Sequence, residues 1–457
     1  MTEWTFRDSY AGIVGLGGRI ENFRIFDADG RDIQNRKLAP GNFEAQAPAT
    51  KFRYEVNLTP PIRASDSAMV SWLNNEQGLL MLRDLLPVFQ SMTSGQSQGF
   101  EHENPTRATV RLMLPDGWAA YSNESEGNSS GFETADADRV VLAVGSHLRA
   151  SKKKIADMNL SLVADGQWAF TDNDAIELAT RIIKAHRDVF GSRVFADVTL
   201  ILIPFPQTVA ADKWSAETRG STVTLLMGRL PSKVGALAQL STPLTHELFH
   251  LWIPNGLALQ GDYDWFYEGF TIYQAARTAV RLDLLTFTEF LNAIGRAYDS
   301  YQADADHDRW SLIEASKRRW TIGQSSVYSK SMVIAFLYDL RLRKESHGKR
   351  SLDDVYRRLF QQSRLSSTEA IPDRDGNEAV TSALSLDPNA QDFVRLFVRN
   401  SAAIDLRTEL APFGLTVESF GLRTRIAVSD QLSKQQRDLL RELGYNNYVR
   451  SPHRSAE

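Results

Sequence analysis

The sequence predicts an α+β multidomain protein, with an antiparallel β domain first, an α/β domain in the middle and a helical portion at the C-terminus. Three observations lead there. At 457 residues the chain exceeds one ordinary core, given roughly 150 residues per domain. Up to about Gly166 it is a series of short β-branched and aromatic runs, and from Thr171 the apolar spacing turns helical. The composition, 42% hydrophobic, 10% aromatic and 24% charged, is that of a globular chain able to bury large cores. The expected boundaries are 1–165 for the β domain, 166–350 for the α/β domain and 351–445 for the helical portion, with a disordered tail at 446–457.

Along the chain, the runs FRIFDADGRDI, KFRYEVNLTPP, ATVRLMLPDGW and RVVLAVGSHL read as strands, and Asp29-Gly30 and Asp116-Gly117 as the places where strands reverse. TDNDAIELATRIIKAHRDVFG then offers Thr171 or Asp172 as N-cap. Apolar positions at Ile176, Ala179, Ile182 and Ile183 share one helical face, and Gly191 is a stop. Two more strands are expected in VTLILIP and STVTLLMG, after which the chain is mainly helical to about Leu410. A polar loop, SRLSSTEAIPDRDGNEA, separates the last helices, and no internal repeat is present.

Charge narrows the partners. With 52 basic and 56 acidic residues the net charge is -4, and no like-charge run exceeds Lys152, Lys153 and Lys154, so neither nucleic acid nor an anionic membrane is expected. The longest strongly apolar stretch, VTLILIPF, is far short of the ~18 residues that cross a bilayer. MTEWTFRDSYAG lacks the basic and apolar regions of a secretory signal, so the chain as given is expected to carry none; a periplasmic location requires one removed beforehand. The chain has no cysteine, which leaves His, Asp and Glu as the residues from which a metal site can be built.

The stretch THELFHLW is where such a site is expected. Thr242-Pro243 reads as N-cap and first helical residue, and Pro254 ends the helix by about Ile253, so His246 to His250 are helical. Positions four apart differ by ~40° around a helix, so the two imidazoles project side by side and can bind one Zn²⁺. Glu247 lies ~60° from His250 and stays free to take a proton from a water. Leu244, Leu248, Leu251 and Trp252 bury the rest of the helix. The competing reading is an ordinary helix with incidental histidines. Two imidazoles are too few for a tight zinc site. Glu268 follows His250 with seventeen residues between, inside WFYEGF, where a buried carboxylate needs a cationic partner; it can complete a His₂Glu set.

THELFHLW followed by WFYEGFT resembles the glycyl aminopeptidase family of zinc metallopeptidases, gluzincins with a thermolysin-like catalytic domain. The segment from Tyr328, YSKSMVIAFLYDLRLRKESHGKRSLDDVYRRL, is similar to that family's Tyr-x-Lys-Gly stretch, and VRNSAAIDLRTELAPFGL to its closing segment. The resemblance implies a thermolysin-like middle domain, one zinc per chain held by His246, His250 and Glu268, and Glu247 as general base and later proton donor. Tyr328 is then the phenol that faces the developing oxyanion. It also implies a peptide substrate with a free N-terminus and a small first residue such as Gly or Ala. The family's Gly-Gly-x-Glu-His stretch, whose glutamate is suited to the substrate amine, corresponds to WSAETRGSTVTLL. Glu217 is kept, but Trp214 and Ser215 replace the glycines and Thr218 the histidine. Residues 221–226 are expected to pair with an extended substrate, while Glu217 reads alternatively as a solvated loop carboxylate.

Ser331 stands where the family has glycine, RDSYAG matches the middle of the family's β domain, and after Leu415 only a short helical segment is expected in place of many relatives' PDZ domain. Two rivals remain: an endopeptidase on the same scaffold, and a non-catalytic peptide-binding protein with structural zinc.

Overall fold

The computed structural model describes residues 2–88, 106–124, 131–364 and 374–446. The expected tail from residue 447 and the middle of the expected polar loop, 365–373, lie outside the described residues. The chain forms two compact units, one of Met1–Thr180 with Arg193–Leu251 and the other of Arg181–Ser192 with Trp252–Glu457. The class is the expected mixture of an antiparallel β region followed by helices. Among the described residues no helix is long and apolar enough to cross a membrane.

In the first unit the four aromatic and β-branched runs form strands at Ile20–Phe26, Lys51–Val56, Ala108–Arg111 and Val141–Gly145. Trp4, Phe6, Ile20, Phe23, Ile25 and Phe43 make one apolar cluster, with Phe23 and Phe43 stacked at 4.3 Å between centroids. Asp29-Gly30 does reverse a strand, and Gly30 takes a φ of 83°, which glycine adopts without a steric cost. Asp116-Gly117 is also a turn, with the Trp118 amide donating to the Pro115 carbonyl, but it closes no hairpin. Ala108–Arg111 pairs with Gly131–Thr134, whereas Ala119–Tyr121 pairs with Val141–Gly145. Ala120 is fully buried with Leu142 and Val144, so burial in that cluster outweighs pairing with the neighbour in sequence.

A five-stranded mixed sheet carries the second half of this unit, in the order Arg149–Ile155, Met158–Ala164, Asp197–Pro204, Thr222–Met227, Trp214–Arg219. Its three inner strands run parallel, and the central one is buried from Val198 to Ile203, as expected of a strand covered on both faces. Val163, Ile201, Ile203 and Leu226 pack with Trp72, Leu79, Met81 and Val141 in one core. The Asp172–Phe190 helix begins and ends at the expected signals. Thr171 and Asp174 exchange side-chain to backbone bonds of 2.9 and 3.1 Å, and Gly191 takes a φ of 78°. The sheet corrects one expectation. WSAETR is a strand antiparallel to Thr222–Met227, so residues 222–227 are flanked on both sides and the open edge is Trp214–Arg219.

The second unit is built from the helices Thr271–Arg281, Phe287–Ala303, Ser331–Glu345 and Leu352–Ser363, with shorter ones after them. Fully buried Asp339 accepts from Tyr273, from Arg343 at 3.0 Å and from the Leu352 amide at 2.7 Å, which ties three helices together. A hairpin, Leu415–Phe420 with Arg423–Val428, interrupts the helical portion expected there. Its alternating β-branched residues turn at Gly421, with φ 61°. It lies against the Phe287–Ala303 helix, where Asp299 accepts from the Thr424 amide and a Cβ on Gly295 would meet the Thr424 carbonyl at 2.5 Å.

Candidate functional site

The helix bearing THELFH runs from Lys233 to His250, about three turns longer than the Thr242-Pro243 start implied. Ser232 caps it, accepting from the Gly235 amide at 3.1 Å, and Pro243 lies inside. Near the proline, Ser241 donates to the Ala238 carbonyl and Thr245 to the Ser241 carbonyl, each at 2.8 Å, so side-chain hydroxyls on either side of it bond helix carbonyls. Leu244, Leu248, Leu251 and Trp252 are buried as expected. His246 and His250 project together, with their Nε2 atoms 3.0 Å apart and their rings nearly perpendicular at 84°.

Between them in sequence, Glu247 is buried. The Thr218 hydroxyl lies 2.7 Å from its Oε2 and 2.9 Å from its main-chain oxygen, and one proton serves the two in turn. Thr218 is on the edge strand, so the strand touches the HExxH helix through this residue. Side chains alternate along a strand, and the neighbours of Thr218 serve the other face. Ser215 donates to Ser65, and Glu217 accepts from the Tyr10 hydroxyl and lies 3.8 Å from Arg219. Glu217 is therefore a strand residue in a polar cluster and not the solvated loop carboxylate of the alternative reading. Burial, and the Glu217 anion opposed by Arg219, push the Tyr10 phenol up to about 12, so it stays protonated as a donor.

Glu268 and Tyr328 each lie on a π-helical turn, Trp265–Phe270 and Ser326–Lys330, that runs directly into an α-helix. Such turns recur at functional sites because the extra residue re-aims a side chain. The two turns meet at Gly269, where a Cβ would lie 2.2 Å from the Ser331 Cβ and 2.6 Å from the Val327 carbonyl. Ser331, the departure from the family's glycine, is accommodated because Gly269 opposite it has no side chain.

Sequence reasoning missed Arg319. This buried guanidinium donates to Glu268 at 2.8 Å, to Asp264 at 2.7 Å and to the hydroxyl of Tyr328. Burial alone would lower its pKa, but Glu268, Tyr328, Tyr267 and Asp264 outweigh that and hold it well above the ordinary value. Burial and the Glu268 carboxylate raise the Tyr328 phenol, with Arg319 opposing, so Tyr328 is an O–H donor. The cationic partner that burial of Glu268 demands is thus supplied in part by the chain itself. Asp264 and Glu268 both pair with this one guanidinium.

His246 and His250 each offer an imidazole nitrogen and Glu268 a carboxylate oxygen as ligand atoms. A tetrahedral zinc at ~2.0 to 2.1 Å from each ligand would hold them roughly 3.3 Å apart, close to the spacing of the two imidazoles. Two imidazoles and a carboxylate are also the donor types of a catalytic zinc set.

Against solved structures, the chain superposes on an aminopeptidase N family protein from Idiomarina loihiensis with a TM-score of 0.75 and 17% identity, covering 91% of this chain and 74% of that one. The chain has the fold of that protein. An M1 zinc metallopeptidase from Deinococcus radiodurans gives a TM-score of 0.53 at 15% identity, over 84% of this chain and 87% of that one. A variant of the Deinococcus enzyme bound to a Tyr-Ser-Ala substrate gives 0.54 at 14% identity, over the same shares. No protein-family signature and no curated protein sequence matches the chain. The fold shared with these structures agrees with the architecture that the gluzincin resemblance implied.

Arg319 went unread because SKRRW has the look of a solvated basic turn, and its burial follows from long-range packing. Thr218 was visible only as a departure from the family's histidine.

Proposed function

We propose that the protein is a zinc-dependent peptidase, acting as an aminopeptidase on peptides with small first residues such as Gly or Ala. The observation that carries this reading is the pair His246 and His250, with their Nε2 atoms 3.0 Å apart and Glu247 between them on the same helix. In it, His246, His250 and Glu268 hold one zinc per chain, which supplies Lewis acidity toward a water and a carbonyl oxygen. Glu247 takes a proton from the attacking water and returns it to the leaving amine. Tyr328 donates its O–H to the oxygen that gains negative charge. The edge strand Trp214–Arg219 offers its backbone to an extended peptide, as strand addition requires. The substrate-bound Deinococcus enzyme, a peptidase of the same fold, supports a peptide substrate. Metal analysis of the purified protein, with a scan of aminoacyl and internally quenched peptides, tests the reading. Absence of zinc or of any peptide cleavage rejects it.

A second reading, an endopeptidase, is favoured by one observation: Glu217 already accepts from Tyr10 and has Arg219 nearby. As an amine anchor, Glu217 would contribute a charge-assisted bond of ~1.5 to 3 kcal/mol. Glu217→Ala then lowers kcat/KM for aminoacyl substrates by ~10- to 100-fold and spares N-acetylated ones. Equal effects on both substrate classes assign Glu217 to the Tyr10 cluster and favour the endopeptidase.

Thr218→Val removes the donor to Glu247 without changing side-chain size. A hydrogen bond to a charged group is worth ~1.5 to 3 kcal/mol, so kcat falls roughly 10-fold or more with zinc content unchanged. Wild-type kcat in this variant would show that Thr218 serves only packing.

A further inference from the structure

Building on the zinc-peptidase reading, we propose that Arg319 is a positioning residue that couples the zinc ligand Glu268 to the oxyanion donor Tyr328. The local fold fixes where it stands. The turn after the Leu312–Ser316 helix is closed by the Arg319 amide donating to the Ser316 carbonyl at 3.1 Å. It is packed so tightly that a Cβ on Gly323 would lie 2.1 Å from the Ala315 carbonyl. The Val327 amide donates to the Gly323 carbonyl at 3.0 Å, so the same turn leads into the one that bears Tyr328.

The guanidinium is held from several sides. Its Nη1 donates to Asp264 at 2.7 Å and lies 3.2 Å from the Tyr267 hydroxyl, and its Cζ sits 4.2 Å from the Trp320 ring centroid. That leaves Nη2, with two N–H groups, to bridge Glu268 at 2.8 Å and the Tyr328 oxygen. A phenol oxygen has one proton, so accepting from Arg319 directs that proton away from the guanidinium and sets the direction in which Tyr328 donates. Engaging one oxygen of Glu268 likewise fixes the rotation of the whole carboxylate. A planar fork can satisfy Asp264 through one nitrogen and the Glu268–Tyr328 pair through the other, whereas a lysine ammonium has a single nitrogen and cannot.

Simple neutralisation of Asp264 and Glu268 is the competing role, and Arg319→Lys separates the two because it keeps the charge and loses the fork. Outer-shell partners of metal ligands typically contribute 10- to 100-fold in metal affinity or activity. Positioning therefore predicts that R319K binds Zn²⁺ ~10- to 100-fold more weakly in chelator competition, with kcat down by about 10-fold or more and KM nearly unchanged. It also predicts that R319K/Y328F loses little more kcat than Y328F alone, because Arg319 acts through Tyr328. If R319K lacks the wild-type Tm and circular dichroism, D264N/R319Q, which removes one buried charge of each sign, takes its place in the same cycle. Wild-type zinc affinity together with additive losses in kcat overturns the positioning role. If the wild-type protein takes up no zinc, or if Y328F alone leaves kcat unchanged, the zinc-peptidase reading of these residues fails and the proposal falls with it.

Discussion

Glu247→Gln lowers kcat by about 10²-fold or more while zinc occupancy stays at the wild-type level. The amide has the shape of the carboxylate, and its oxygen can still accept from the Thr218 hydroxyl that lies 2.7 Å from Glu247 Oε2, so the helix and its two histidines keep their geometry. What the amide lacks is a basic oxygen with which to take the proton of an attacking water. The HExxH helix is buried through Leu244, Leu248 and Phe249, so the substitution has little reason to disturb folding. Metal content by elemental analysis, paired with steady-state kinetics on a cleaved peptide, reads both quantities. Near wild-type turnover with zinc in place would remove Glu247 from the role of general base.

Local chemistry determined which features were readable in the sequence. The helical spacing of His246 and His250 follows from backbone geometry alone, and the structure brings their Nε2 atoms to 3.0 Å. The Asp172–Phe190 helix was readable at both ends because a capping threonine and a left-handed glycine are local signals. Features set by long-range burial were not readable. Pro243 looked like the first residue of a helix, since no local rule says that Ser232 caps it ten residues earlier or that hydroxyls at 241 and 245 engage nearby carbonyls. WSAETR carries charges and a tryptophan, so its strand is explained by pairing with Thr222–Met227 and not by its own periodicity. Leu415–Phe420 and Arg423–Val428 alternate visibly around Gly421, and that hairpin could have been read from period two. Arg319 could not, because whether an arginine is solvated or buried against Asp264 and Glu268 depends on segments more than fifty residues away in sequence.

Glu268→Ala and Tyr328→Phe separate metal binding from oxyanion stabilisation, although both residues accept from the same nitrogen of Arg319. Removing Glu268 leaves Arg319 paired with Asp264 at 2.7 Å, so the buried guanidinium keeps a carboxylate partner and the variant folds. It leaves two imidazoles as ligands. Zinc affinity then falls by more than the ~10- to 100-fold typical of losing an outer-shell partner, and activity falls with it. Tyr328→Phe removes one oxygen and its proton from the Ser326–Lys330 turn, while Arg319 retains Glu268 and Asp264. Zinc affinity therefore stays within a few-fold of wild type. Its effect falls on kcat rather than KM, because a donor aimed at a developing oxyanion interacts more strongly in the transition state than in the ground state. Chelator competition gives the affinities and steady-state kinetics the split between kcat and KM. A Tyr328→Phe protein that loses its zinc would reverse the assignment and place the phenol in the metal site, whereas a Glu268→Ala protein that binds zinc as tightly as wild type would require a third ligand other than Glu268.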